Sequence, residues 1–119
     1  MKQIIIDTDP GIDDTMAIYF ALNSPELEVI GLTTVYGNTS NIQGTENALR
    51  ILEIANKEGI PVHTGASKPL MTEYLGKGEI VHGIDGQGNS NLVKPKIKEG
   101  DISAINFMKN KIDEFPGQI

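Results

Sequence analysis

The chain contains no cysteine and no tryptophan, and aromatic residues make up only 5% of it. Without thiols it has no disulfide framework, no thiolate metal site and no thiol nucleophile, although that absence alone does not fix a redox compartment. Positive charge is also scarce: ten Lys and Arg face sixteen Asp and Glu, for a net charge of -6. The lysines are scattered rather than gathered beside aromatic residues, which argues against a phosphate-backbone partner, so no nucleic acid is expected. No apolar run approaches the length of a bilayer span, and Met1-Lys2-Gln3 passes into Ile4-Ile5-Ile6 and then into acid without a signal-peptide core. No membrane association is expected, and the cytoplasm is the simplest address. Internal repeats, low-complexity tracts and interdomain linkers are missing as well.

What is present is ordinary for one folded domain: 119 residues, 39% hydrophobic and 22% charged. Gln3 to Ile6 is a short β-branched apolar run closed by Asp7-Thr8-Asp9-Pro10-Gly11, which predicts a strand buried on both faces. From Asp13, the apolar residues Met16, Ala17, Phe20 and Ala21 recur at helical spacing until Ser24-Pro25. Leu27 to Val35 predicts a second strand, ending at Tyr36-Gly37-Asn38. Ser40 or Asn41 can cap a second helix, with Ala48, Ile51, Leu52 and Ala55 on one face and Gly59 at its end. Ile60 to His63 predicts a third strand. From Pro69 to Gly100 periodicity disappears while glycines accumulate around His82 and Asp85, the pattern of a functional or a merely inserted loop. Ser103 to Phe115 predicts a last helix, with Ile105, Met108 and Ile112 sharing a face. Strands alternating with helices imply right-handed βαβ units on a parallel sheet, an open Rossmann-like α/β architecture that stops after the third unit.

Four carboxylates, Asp7, Asp9, Asp13 and Asp14, fall within eight residues just beyond the carboxyl end of the first strand, where open α/β sheets bind ligands. Alternation places Asp7 and Asp9 on one side, and Pro10-Gly11 turns the chain so that Asp13 and Asp14 open the helix near its positive dipole end. Converging carboxylates repel unless a cation neutralises them, and an all-oxygen set suits Ca²⁺ or Mg²⁺ rather than zinc, with Ca²⁺ the first choice. The plainer alternative is that Asp13 or Asp14 caps the helix and Asp7 ends the strand. Asn38, at the end of the second strand, should face the same crevice, although a turn role explains it equally well. His82 could fold over that crevice with its loop or simply stand in solvent. Thr33 and Thr34 receive no role.

IIIDTDPGIDDTMA at residues 4–17, VIGLTTVYGN at 29–38, GIPVHTGASKPL at 59–70 and HGIDGQG at 82–88 closely resemble, in the same order and spacing, the inosine-uridine preferring nucleoside hydrolases. The resemblance implies calcium-dependent hydrolysis of the N-glycosidic bond of a small-molecule ribonucleoside, through an oxocarbenium-like transition state, to ribose and a free base. It gives Asp9 a double role as general base and Ca²⁺ ligand, and makes Asp14 the chelating Ca²⁺ ligand. Asp13, Asn38 and His82 become substrate contacts, and Asp7 supports the site from behind. It also implies a homo-oligomer. Members of that family are more than twice as long, so residues 1–119 read as the amino-terminal portion of a single domain, and the isolated chain is expected to be a weak catalyst or none.

Two other readings stand beside this one. A non-catalytic module could bind a cation or ribose hydroxyls without turnover. A hydrophobic strand followed by Asp7-Thr8-Asp9 also resembles the haloacid-dehalogenase phosphatases, with Asp7 as nucleophile and Mg²⁺ as metal, although Pro10-Gly11 departs from that pattern.

Overall fold

The computed structural model describes residues 1–76 and 78–119. Three parallel strands, β1 (Lys2–Thr8), β2 (Leu27–Thr34) and β3 (Val62–Thr64), lie side by side in sequence order. They are joined by helices α1 (Ile12–Leu22) and α2 (Asn41–Ile54). Crossovers that step in one direction place both helices on one face of the sheet, and α1 and α2 pack against each other there. A single turn of helix, α3 (Glu79–His82), interrupts the long connection after β3, and α4 (Ala104–Glu114) closes the described fold.

The core lies between the sheet and the α1/α2 layer. Ile18 of α1, Val29 and Leu32 of β2, Ala48, Leu49, Ile51 and Leu52 of α2, and Val62 of β3 form one buried cluster. Full burial of a branched side chain stabilises by roughly 1.5–3 kcal/mol relative to leaving it in water, so this layer dominates the packing energy. Helix α2 starts where Ser40 accepts a hydrogen bond from the Gln43 N–H at 3.1 Å. Helix α4 starts in the same way at Ser103, which accepts from the Asn106 N–H at 3.3 Å.

Two helices are rotated from the orientation their apolar spacing predicts. In α1 the buried residues are Ile18 and Ala21, while Met16 and Phe20 are 72% and 77% exposed. The rotation follows from the helix start: the Thr8 hydroxyl donates to Asp14 at 2.8 Å, and Ile18 and Ala21 follow Asp14 on the same stripe at i+4 and i+7. In α4, Ala104 and Phe107 are buried, whereas Ile105 and Ile112 are exposed. Phe107 lies against Gly31 of β2, where a Cβ would meet its ring at 2.4 Å, and stacks on His63 of β3 with ring centroids 4.2 Å apart. This helix therefore covers the sheet face opposite α1 and α2.

The strands run further than their apolar cores suggest. Strand β1 continues through Asp7 to Thr8, and β3 is displaced to Val62–Thr64. The β1–β2 register slips once: Ile4 pairs with Val29 but Ile5 with Gly31, so Ile30 is an extra residue in β2. Val29 before the slip and Leu32 after it both face the α1/α2 layer as a result.

Candidate active site

Strand β1 ends at Thr8, and Asp9-Pro10-Gly11 carries the chain directly into α1. The N-cap residue of α1 is Gly11, with no side-chain capping bond, while Asp13 and Asp14 occupy the first turn. The capping explanation for these acids therefore fails, and both sit at the positive end of the helix without capping it.

Asp9 and Asp14 are brought together. Asp9 Oδ2 accepts the Asn38 backbone N–H at 2.7 Å, fixing the carboxylate against the turn that follows β2. Gly37 makes the approach possible, because a Cβ there would sit 2.0 Å from Asp9 Oδ2. Asp14 Oδ2 accepts the Thr8 hydroxyl at 2.8 Å. Burial pushes the Asp14 pKa up, the Thr8 hydrogen bond opposes this, and the adjoining Asp9 carboxylate and the Asp13 charge push it further up. Sequence reading did not single out Thr8, whose signal is its place as the hydroxyl between two aspartates on the strand that feeds the crevice.

Asp7 does not converge with this pair, and Asp13 reaches it through its charge alone. Asp7 accepts the Thr33 hydroxyl at 2.7 Å and lies in register with Thr33. Thr33 shares its parity with Gly31, so Asp7 faces the α4 side of the sheet, whereas Thr8 and Thr34 face α1 and α2. Alternation would join Asp7 to Asp9 only in a strand that continued past Thr8. The Asp13 side chain is 78% exposed, and its Oδ1 lies 3.9 Å from His82 Nδ1. Among the described residues no group of three or more His, Cys, Asp or Glu is disposed to hold a metal ion.

His82 lies against the turn that leads into α1. The ring packs on Gly11, where a Cβ would meet Nδ1 at 2.5 Å, and its Nδ1 lies 3.0 Å from the Ile12 backbone N–H. For that nitrogen to accept, it must be bare, with the ring proton on Nε2. Asn38 engages Asp9 through its backbone. Tyr74 approaches from the loop and donates its hydroxyl to Gly37 O at 2.8 Å, edge-on to Tyr36. Burial raises the Tyr74 pKa, and the charges of Glu79 and Asp9 add to it.

The donor set is all oxygen and is short of positive charge. A cation would relieve the cost of ionising Asp14 beside Asp9, so the pair fits a hard divalent ion. Two carboxylates are nevertheless well below the six to eight oxygens that Ca²⁺ takes.

Known proteins match this chain along nearly its whole length. The family model for the inosine-uridine preferring nucleoside hydrolases matches residues 4–119. Uridine nucleosidase 1 of Arabidopsis thaliana is 46% identical over 118 residues, covering 99% of this chain and 35% of that protein. The structure of a plant nucleoside hydrolase, the PpNRh1 enzyme, superposes with a TM-score of 0.93 at 50% identity, covering 99% of this chain and 37% of that one. A purine-preferring ribonucleoside hydrolase from Gardnerella vaginalis gives a TM-score of 0.90 at 36% identity, with 96% of this chain and 37% of that one covered. The chain thus spans about a third of the length of the relatives it matches. With the family model matching residues 4–119 and the fold shared across that extent, the chain belongs to the inosine-uridine preferring nucleoside hydrolase family.

Proposed function

We propose that this chain supplies the cation-holding and ribose-facing part of a calcium-dependent ribonucleoside hydrolase. The observation that carries the reading is the pairing of Asp9 and Asp14 at the carboxyl end of β1, each oriented by a separate donor, the Asn38 N–H and the Thr8 hydroxyl. Asp14 and Asp9 would hold Ca²⁺, which when bound supplies the positive charge that eases ionisation of a water molecule. Asp9 accepts that water's proton as general base. The water oxygen bonds to the anomeric carbon as the bond from that carbon to the base nitrogen breaks, the electron pair leaving with the base. Asp13 and Asn38 hold the ribose hydroxyls, and the negative field of the crevice favours an oxocarbenium-like transition state. His82 presents its Nε2–H as a donor near the substrate, and Asp7 with Thr33 stiffens β1 from the opposite face.

The test is ribose release from inosine and uridine with calcium and again with a chelator. Asp9→Asn keeps an acceptor for the Asn38 N–H but cannot take a proton, so whatever release the unaltered chain gives should fall by roughly 10²- to 10⁴-fold. Calcium-dependent stabilisation without ribose release would favour the binding-module reading instead. The phosphatase reading requires Asp7 in the crevice as nucleophile. Its hydrogen bond to Thr33 on the opposite face, and the start of α1 at Ile12 with no room for a flap, count against it.

A further inference from the structure

Helix α2 buries an asparagine and an arginine one turn apart: Asn47 is fully buried and Arg50 is 6% exposed. Neither belongs to the acidic turn or to the glycine-rich loop, yet together they join the two. Asn47 Nδ2 donates to Pro10 O at 3.0 Å, in the DPG turn, and to Asp85 O at 2.9 Å, in the HGIDG loop. Asn47 Oδ1 accepts from Gln43 Nε2 at 3.1 Å and from Arg50 Nη1 at 3.0 Å. All four hydrogen-bonding positions of the amide are filled, so only one orientation satisfies it. Arg50 extends the grip, donating from Nη1 to Gln87 Oε1 at 2.8 Å and from Nε to Val93 O at 2.9 Å.

We infer that Asn47 is a positioning residue of the crevice: its amide, bridging Pro10 and Asp85, sets where His82 sits relative to Asp9 and Asp14. The carbonyl it holds in the turn follows Asp9 directly, and the one it holds in the loop lies three residues after His82. The loop is short between these points. Gly88 N–H donates to His82 O at 2.7 Å and Gly86 N–H to Gly83 O at 3.1 Å, so fixing Asp85 fixes the ring that accepts from Ile12 N–H. No other side chain at position 47 reproduces the pattern. Leucine leaves two carbonyls unpaired, and aspartate sets an oxygen against both of them. The role in catalysis rests on the hydrolase reading; the positioning itself does not.

The experiment reads the imidazole nitrogens by ¹⁵N NMR of the histidine-labelled chain at alkaline pH, where imidazoles are neutral. The chain has two histidines, and His63, buried beneath α4, serves as the folding control. In the unaltered chain His82 should show one bare nitrogen and one protonated nitrogen, Nδ1 and Nε2. In Asn47→Asp, His82 should lose that single-tautomer signature while His63 keeps its own. Should Asn47→Asp disturb His63 as well, Gly86→Ala breaks the same contact from the loop side. Its Cβ would lie 2.9 Å from Asn47 Nδ2 and 2.3 Å from Thr39 Cγ2, at a φ of +72°. It should release His82 in the same way. An unchanged His82 signature in either variant with His63 intact overturns the inference. The signals need no substrate, calcium or turnover, so failure of the hydrolase reading would leave this result standing.

Discussion

Residues 68–76 and residues 83–93 both belong to the connection between β3 and α4, and neither stretch carries helical or strand periodicity. In the second, Asp85 O, Gln87 and Val93 O are held by Asn47 and Arg50, and the Asp85 carboxylate accepts the Gln87 and Asn89 N–H groups at 2.8 Å. The first leaves Leu70 and Met71 100% and 93% exposed and is fastened to the turn after β2 through Tyr74. The difference is one of partners: α2 supplies buried polar groups to the glycine-rich stretch, whereas the Tyr74 hydroxyl ties the other to the turn after β2. The fastened stretch follows His82, and the loosely fastened one flanks the same crevice from the other side.

Breaking the fastened stretch should have the largest effect. Arg50→Ala strips hydrogen bonds from Asn47, Gln87 and Val93 and leaves Glu46 without its 2.7 Å partner, at a cost of about 3 kcal/mol in denaturant unfolding. Asp85→Ala should cost about 1.5 kcal/mol at neutral pH, since charge-assisted bonds to three backbone donors, the Asn91 N–H the longest, are lost. Burial alone would raise the Asp85 pKa, but the Gln87, Asn89 and Asn91 N–H groups, with the Arg50 charge, outweigh it and hold it low. A depressed carboxylate stabilises the fold above its unfolded pKa and loses that contribution as pH falls through the folded value. The penalty of Asp85→Ala should therefore shrink under acid.

Asp14 has the opposite sign. Its pKa is raised, by burial first and by Asp9 and Asp13 in addition, so its ionisation opposes folding above the carboxylate range when no cation is added. Asp14→Asn should raise the melting temperature at neutral pH in a chelator, the gain fading as pH falls, and should abolish any gain from added calcium. A neutral-pH melting temperature for Asp14→Asn below that of the unaltered chain would contradict this account. In the loosely fastened stretch, Tyr74→Phe should cost about 1 kcal/mol through its lost bond to Gly37 O. Leu70→Ser and Met71→Ser should stay within about 0.5 kcal/mol, and a larger loss would mean that this stretch is packed more firmly than its exposure implies.

The order of strands and helices was legible because each element announces itself locally, in β-branched runs, helical spacing and the Ser40 and Ser103 starts. Helix rotation was not, because the Thr8–Asp14 bond and the bare backbone of Gly31 decide which stripe of α1 and α4 turns inward. The Asp9–Asp14 pair was legible as chemistry, while the separation of Asp7 depended on where β1 stops. Asn47 and Arg50 were invisible as a bridge between turn and loop, since their partners lie some forty positions away. Gln43, Asn47 and Arg50 at intervals of four and three do mark a polar stripe on a helix whose neighbouring positions are core, and that is the signal a closer reading could use.

The extra residue at Ile30 acts as a phase change in β2. Odd positions face the helices before it and even positions after it, so the two halves of one strand obey opposite parity. Removing one residue there would exchange the environments of every position on one side of the slip. Thr34 would turn from its Thr45 partner toward α4, and Thr33 would leave Asp7 for the helix layer. The strand is thus more exposed to a deletion than to many substitutions: a side chain can be altered in place, but the count of residues between Val29 and Gly31 holds the two faces of the sheet in step.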